Sequence, residues 1–377
     1  MILNDEQRMI QDTARRFAQA EILPYVKAWD KSGVPDDLLR KMGQAGLMGI
    51  CIDPAWGGAG ADFVSYVVAM EEISAADGGI ANLMAANNSP VMAALRDHGT
   101  EAQKQRFFPK LTSGGMIGCI ALTEPHTGSD AGAIRTRAER RGDHFVLNGQ
   151  KNFITAGRRA GLAMIVAVTD PAAGKRGIST FLTPTDNPGY KVLREEAKLG
   201  HRSNDTCAIA FEDMVVPATD LLGAEGRGLG IALANLSAGR IAVAAQAVGG
   251  ARAAFEAALA YAQERESFGK PIIEHQAVAF RLADMATQIE VGRQMYLHAA
   301  LIHDSGAPSL QEASMAKLFA SDMAEKVASD ALQTFGGYGY LEDFPVAKIL
   351  RDVRVYRIYE GTNDIQKIVI ARALTKN

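Results

Sequence analysis

Two changes of hydrophobic period cut this chain into three parts, and they constrain its fold more than any single motif. Up to residue 113 apolar residues recur at helical spacing, in runs at 38–45, 63–75 and 80–98 and in a short helix ending near 111. Asn4 is placed to cap a first helix with Met9, Ile10, Ala14, Phe17 and Ala18 on its apolar face, ended by Leu23-Pro24. From Gly114-Gly115 to residue 223 the period shortens. β-Branched and aromatic residues come in short runs between turns, at 117–122, 134–139, 144–147, 152–155, 163–168, 178–183, 190–193 and 207–216. Asn148-Gly149 predicts a hairpin between two of these runs. From residue 224 long helices return, at 229–265, 274–304, 309–338 and 365–374. The pattern is mainly α with a central β domain: an N-terminal helical domain (1–113), a middle antiparallel β-barrel domain (114–223) and a C-terminal four-helix bundle (224–377).

Composition narrows the function classes. With 47% hydrophobic and 22% charged residues, the 377-residue chain has enough apolar surface to bury a large core. Its net charge of -3 argues against a nucleic-acid surface. Cys51, Cys119 and Cys207 are far apart and fit neither a disulfide framework nor a zinc knuckle, which favours a reducing compartment. His275, His298 and His303 lack ligand spacing, so no metal is expected. The acidic start has no signal-peptide pattern and no run reaches membrane-spanning length, so the expectation is a cytoplasmic protein without membrane insertion, or a mitochondrial matrix one in a eukaryote.

Four stretches carry candidate chemistry. In Arg357-Ile358-Tyr359-Glu360-Gly361-Thr362-Asn363-Asp364 a lone carboxylate follows apolar residues and precedes a helix. Desolvated there, Glu360 would have the raised pKa of a base; as a helix N-terminal acid it would be only a dipole partner. The residues alone leave both readings open. Ala121-Leu122-Thr123-Glu124-Pro125-His126-Thr127-Gly128-Ser129-Asp130 is dense in hydroxyls and glycine, which suits a phosphate or a polar ring edge, or an ordinary turn. Phe153 and Thr155 share a strand face, fit for stacking on a planar ring or for plain sheet packing. The glycine-rich run from Gln333 through Gly336 and Gly337 to Tyr340 can meet a pyrophosphate or cap a helix, and the link from Arg265 to Gln276 can meet a phosphate.

Taken together and in this order, these motifs resemble the acyl-CoA dehydrogenase family over essentially the whole chain. One signature is the stretch at 121–130; the other runs from Gln333 to Asp352 and is followed by Tyr359-Glu360-Gly361-Thr362. The resemblance implies non-covalent FAD, an acyl-CoA thioester substrate and α,β-dehydrogenation to the trans-2-enoyl-CoA. It implies electrons passed to an electron-transferring flavoprotein, and a homotetramer. Glu360 would take the α-proton, flavin N5 would take the β-hydride, and the Glu360 N–H with the ribityl 2′-hydroxyl would hold the thioester oxygen. Leu122, Thr123 and Ser129 would contact the flavin ring and pyrophosphate, with Gly128 allowing the approach; Thr155 would lie near N5 and Phe153 against the ring. Arg265, Phe268, Gln276, Gln333, Gly336 and Gly337 would reach a neighbouring subunit's FAD, and Thr362 and Asp364 would close over the cofactor. Arg240 and Ser129 would lie near the CoA moiety, and Tyr359 and Gly361 would line the thioester pocket.

This sequence departs from the pattern in places. Phe153 replaces the Trp of many members, Ser237 stands where some carry an acid near CoA, and His126 replaces a smaller residue. In a minority branch the base sits at the position matching Gly239, which glycine cannot supply. Rival readings are an acyl-CoA oxidase, usually longer than this chain, a nitroalkane-oxidase-like enzyme, which would carry Asp in place of Glu360, and a flavin-bearing binding protein.

Overall fold

The computed structural model describes residues 2–375. Asn4 opens α1 (Asp5–Phe17) with a capping box: its side chain accepts from the Gln7 N–H at 2.8 Å and the Gln7 side chain accepts from the Asn4 N–H at 3.0 Å. The face turned inward carries Gln7 and Ala14, two full turns apart. Met9, about 140° round the helix from Ala14, is 62% exposed, correcting its place on the apolar face. Leu23-Pro24 does not end the helical segment either. A 3-10 turn, Leu23–Tyr25, carries the proline in its first turn and leads into α2 (Val26–Ser32). α3 (Asp36–Gln44), α4 (Phe63–Ala76), α5 (Gly78–Ala86), α6 (Ala93–His98) and α7 (Glu101–Thr112) follow. The single helix expected over 80–98 is split between α5 and α6, because Ser89 leaves helical geometry (φ -149°, ψ 119°) ahead of Pro90.

The middle of the chain is a curled seven-stranded sheet. Its strands are β1 (Gly118–Ala121), β2 (Arg137–Arg141), β3 (His144–Thr155), β4 (Leu162–Val168), β5 (Ile178–Pro184), β6 (Tyr190–Glu195) and β7 (Thr206–Pro217). They run β1-β4-β2-β3-β7-β6, with β5 on β4. The sheet is mixed rather than wholly antiparallel: β1 and β2 lie parallel to β4, reached through intervening chain long enough for a crossover. The hairpin turn is Gly142-Asp143, between the paired residues Arg141 and His144. Asn148-Gly149 instead lies inside β3, at a register shift against β7, where the Asn148 side chain accepts from the Asp213 N–H at 2.9 Å. Gly149 is required there, since a Cβ would sit 2.5 Å from Thr136 Oγ1.

Helices then close the chain: α8 (Gly228–Glu264), α9 (Gln276–Asp304), α10 (Leu310–Phe335), α11 (Pro345–Val353) and α12 (Asn363–Leu374), with a β8–β9 hairpin (Glu266–Ser267, Lys270–Pro271) between α8 and α9. The sequence pattern did not predict α11. α8 also overturns the expectation that no run reaches membrane-spanning length. It is long and apolar enough by length and composition, with an 18-residue window of mean hydropathy 1.4, but 72% of that window is buried in the fold, so it serves as the core helix. Small residues let it approach α4 closely; a Cβ on Gly249 would fall 2.3 Å from the Glu71 carbonyl oxygen. Beside that contact the buried Glu71 carboxylate takes Arg293 at 2.6 Å, Arg252 at 3.1 Å and the Tyr296 hydroxyl at 2.5 Å. Burial alone would raise its pKa, but these donors hold it below the ordinary carboxylate range.

Candidate active site

Glu360 is not a helix-terminal acid. α12 begins at Asn363, and its cap is Thr362, whose hydroxyl accepts from the Ile365 N–H at 3.4 Å. Glu360 and Gly361 lie ahead of it in consecutive left-handed conformations, φ +53° and +81°. That bend turns the Glu360 side chain inward, where Oε2 is buried with no hydrogen-bond partner. Burial pushes the carboxyl up to about 7, against the pull of Arg240 and Lys317. The Glu360 N–H has no partner among the described residues, while its carbonyl accepts from Gln366 Nε2 at 3.2 Å.

The strained loop is tied down from three sides. Buried Lys317 donates to the Gly361 carbonyl at 2.9 Å and to Asn363 Oδ1 at 2.8 Å. Gln366 Nε2 also donates to the Gly361 carbonyl, at 2.8 Å. The Tyr359 hydroxyl donates to Gln246 Oε1 on α8 at 3.1 Å. Gly239, also on α8, faces the carboxylate so closely that a Cβ there would lie 2.9 Å from Glu360 Oε2.

One cavity brings together Leu122, Thr123, Gly128, Ser129, Phe153, Thr155, Arg240, Tyr359, Glu360 and Gly361. The β-domain wall suits a flat, polar-edged ring. A second register shift in β3, between Lys151 and Ile154, lifts Phe153 off the ladder at φ +59° and leaves it 63% exposed. The Thr123 N–H and hydroxyl have no partner among the described residues, and Thr155 Oγ1 accepts from Asn82 at 3.3 Å. An apolar face beside unpaired donors fits the isoalloxazine of a flavin. Arg240 is buried, donating to Ser314 Oγ at 3.3 Å, and its Nε is unpaired.

The remaining predicted residues lie elsewhere on this chain. Arg265, Gly336 and Gly337 line a separate concavity with Tyr338, whose ring lies 5.8 Å from the Arg265 guanidinium. Gly336, at φ +62°, is also the C-cap of α10. Gln333 and Gln276 are exposed, and Phe268 at the hairpin tip is 98% exposed. Thr362 caps α12, and exposed Asp364 lies 3.8 Å from Lys367. Conversely, the cavity wall contains Gln246, Asn82 and Ser89, and Lys317 lies beneath the loop; the sequence reading singled out none of these four. A signal existed for two of them: Gln246 and Lys317 are single polar residues in small apolar helical runs, the pattern of a buried polar group with a specific task.

Comparison with known proteins agrees with this geometry. Family models describing the N-terminal, middle and C-terminal domains of acyl-CoA dehydrogenase match residues 4–115, 119–214 and 226–375. An acyl-CoA dehydrogenase of Bacillus subtilis is 45% identical over 375 residues, 99% of each chain. A short-chain specific acyl-CoA dehydrogenase of Clostridium acetobutylicum is 41% identical, covering 98% of each. The structure of butyryl-CoA dehydrogenase from Megasphaera elsdenii superposes with a TM-score of 0.97 at 38% identity, over 100% of both chains. The chain belongs to the acyl-CoA dehydrogenase family. It is an FAD-dependent oxidoreductase that dehydrogenates acyl-CoA.

Proposed function

We propose that the substrate is a short, straight acyl-CoA thioester, converted to its trans-2-enoyl-CoA with Glu360 as the base. The observation that carries this reading is the buried Glu360 Oε2, which has no hydrogen-bond partner among the described residues; burial pushes the carboxyl up to about 7. A base with a pKa near the working pH is ionised often enough to act and basic enough to take a carbon-bound proton. The free Glu360 N–H is a donor for the thioester oxygen, so the residue that removes the α-proton also stabilises the charge that develops beside it. Lys317 fixes the loop and holds the carboxylate in reach. FAD, when bound against Phe153 and the Leu122–Thr123 edge, supplies the hydride acceptor for the β-carbon.

The short-chain reading rests on the polar groups in the cavity wall. Gln246, hydrogen-bonded to Tyr359, stands with Asn82 and Ser89 in the wall, and Gln246 Nε2 and Ser89 Oγ are buried without partners. An apolar tail pressed onto such groups would keep them dry and unpaired, at a cost of about 1–3 kcal/mol each. A four-carbon acyl group matches the butyryl-CoA dehydrogenase neighbour. The exposed Phe268, Gln276 and Gln333 support a homotetramer in which they reach a neighbour's FAD, and reoxidation is assigned to an electron-transferring flavoprotein. Anaerobic titration tests the reading: butyryl-CoA should bleach the yellow enzyme at least ~10-fold faster than octanoyl-CoA. Equal rates would remove the chain-length assignment, and peroxide formation in air at the turnover rate would make the protein an oxidase.

A further inference from the structure

One buried ion pair has no part in the mechanism above. Lys151 on β3 is fully buried, and its Nζ donates to Glu124 Oε1 at 2.8 Å and to the Leu122 carbonyl at 3.0 Å. Glu124, 4% exposed, also accepts from the Arg135 N–H at 2.7 Å and the Thr136 N–H at 2.9 Å. A carboxylate with that many donors stays ionised, and burial is more than offset, holding its pKa below the ordinary value. Burial pushes Lys151 down to about 8, with Glu124 opposing the fall.

The pair sits directly behind the flavin-facing edge. The peptide between Leu122 and Thr123 has a cation on its carbonyl oxygen, and the N–H at its other end, that of the cavity-lining Thr123, has no partner among the described residues. The next carbonyl, of Thr123, is fixed by the Asn152 N–H at 2.8 Å. A cation on an amide oxygen draws electrons through the peptide and makes its N–H a stronger donor, more so in a dry interior. Such a donor is worth more to an acceptor that gains negative charge than to a neutral one. The pyrimidine edge of a flavin gains charge on two-electron reduction.

We infer that Lys151 is a positioning residue that tunes the flavin, favouring its reduced form through the Leu122–Thr123 peptide, with Glu124 keeping the buried lysine charged. This rests on the reading that Leu122 and Thr123 hold the flavin ring. A pair that only stapled the loop would lower affinity for oxidised and reduced FAD alike and leave the midpoint potential unchanged.

The test compares wild type with the double variant Lys151→Met/Glu124→Gln, which leaves no unpaired buried charge, and with Glu124→Gln alone. Apoprotein is titrated with oxidised and with dithionite-reduced FAD, and the midpoint potential is measured spectroelectrochemically. In the double variant, affinity for reduced FAD should fall ~10-fold more than for oxidised FAD, a drop of about 30 mV for a two-electron couple. Glu124→Gln should move the potential the same way, because a buried lysine without its anion gives up its proton. An unchanged potential in the double variant, or loss of all flavin binding, would overturn the inference. Failure of wild-type apoprotein to bind FAD would overturn the underlying reading instead.

Discussion

Replacing Glu360 by Gln should slow substrate bleaching and stabilise the protein, and the second effect should grow with pH. The fold raises the carboxyl from 4.5 to about 7. A folded-state pKa above the unfolded one means the folded chain holds the proton more tightly. The stability this lends is complete below the unfolded value and is lost as pH rises through about 7. Across that interval, at 1.36 kcal/mol per pH unit, the loss reaches about 3 kcal/mol. Glutamine keeps the shape without the charge. The variant should therefore match wild type to within ~1 kcal/mol at about pH 5 and exceed it by about 3 kcal/mol at about pH 8. Paired thermal melts of substrate-free holoenzyme across that range read the divergence directly. Anaerobic bleaching by butyryl-CoA should fall at least ~10²-fold, the usual loss when a general base is removed. A melting difference that stays constant with pH would mean that the carboxyl is not desolvated. Bleaching within a few-fold of wild type would mean that Glu360 is not the base.

Three further substitutions probe other parts of the argument. Gly239→Ala places a methyl 2.9 Å from Glu360 Oε2; stopped-flow bleaching should slow ~10-fold or more with flavin content unchanged, and a wild-type rate would show that the carboxylate yields at no cost. Gln246→Leu replaces one polar group of the cavity wall with an apolar one, so the hexanoyl-to-butyryl ratio of kcat/KM should rise ~10-fold; an unchanged ratio would place the chain-length boundary elsewhere. Glu71→Gln leaves Arg252 and Arg293 without their shared anion and should cost about 3–5 kcal/mol in urea unfolding, whereas a loss under ~1 kcal/mol would mean that water reaches the cluster.

Where one local rule governed, the sequence was legible. Asn4 and Gln7 sit at capping-box spacing, and the box formed. The eight β-rich runs fall on the seven strands, because β3 takes two of them. That merger shows the limit. Asn-Gly is a strong turn signal in isolation, but residues 144–147 before it and 149–151 and 154–155 after it all have partners on β7, and pairing on both sides outweighs the turn preference, leaving a bulge. The break at Ser89-Pro90 has its mark in the sequence, the proline, although the apolar run across it has the period of one helix. α11 was missed inside a stretch read for its glycines, although Pro345 marks a helix start. Around the cavity, the stretch that holds Glu360 and the hydroxyl-rich loop stand out in the sequence because each is a contiguous string. Gln246 and Lys317 leave only the mark of lone polar residues in apolar runs, and their roles, like that of the Lys151–Glu124 pair, arise only when residues tens to hundreds of positions apart meet.

The near-contact of Gly239 with Glu360 also bears on how such a site can change over generations. Two elements far apart in the chain, a helix and a loop, reach the same point in space, and only one of them can occupy it. A carboxylate can therefore migrate from the loop to the helix only if both positions change, because an intermediate with two large side chains collides and one with none has no base. A base relocated to the helix would no longer share a residue with the free N–H at position 360, so removing the proton and holding the thioester oxygen would become separately mutable tasks. On the proposed assignment of both tasks to Glu360, a single backbone bend would set both, and any drift in that bend would be exposed to selection twice.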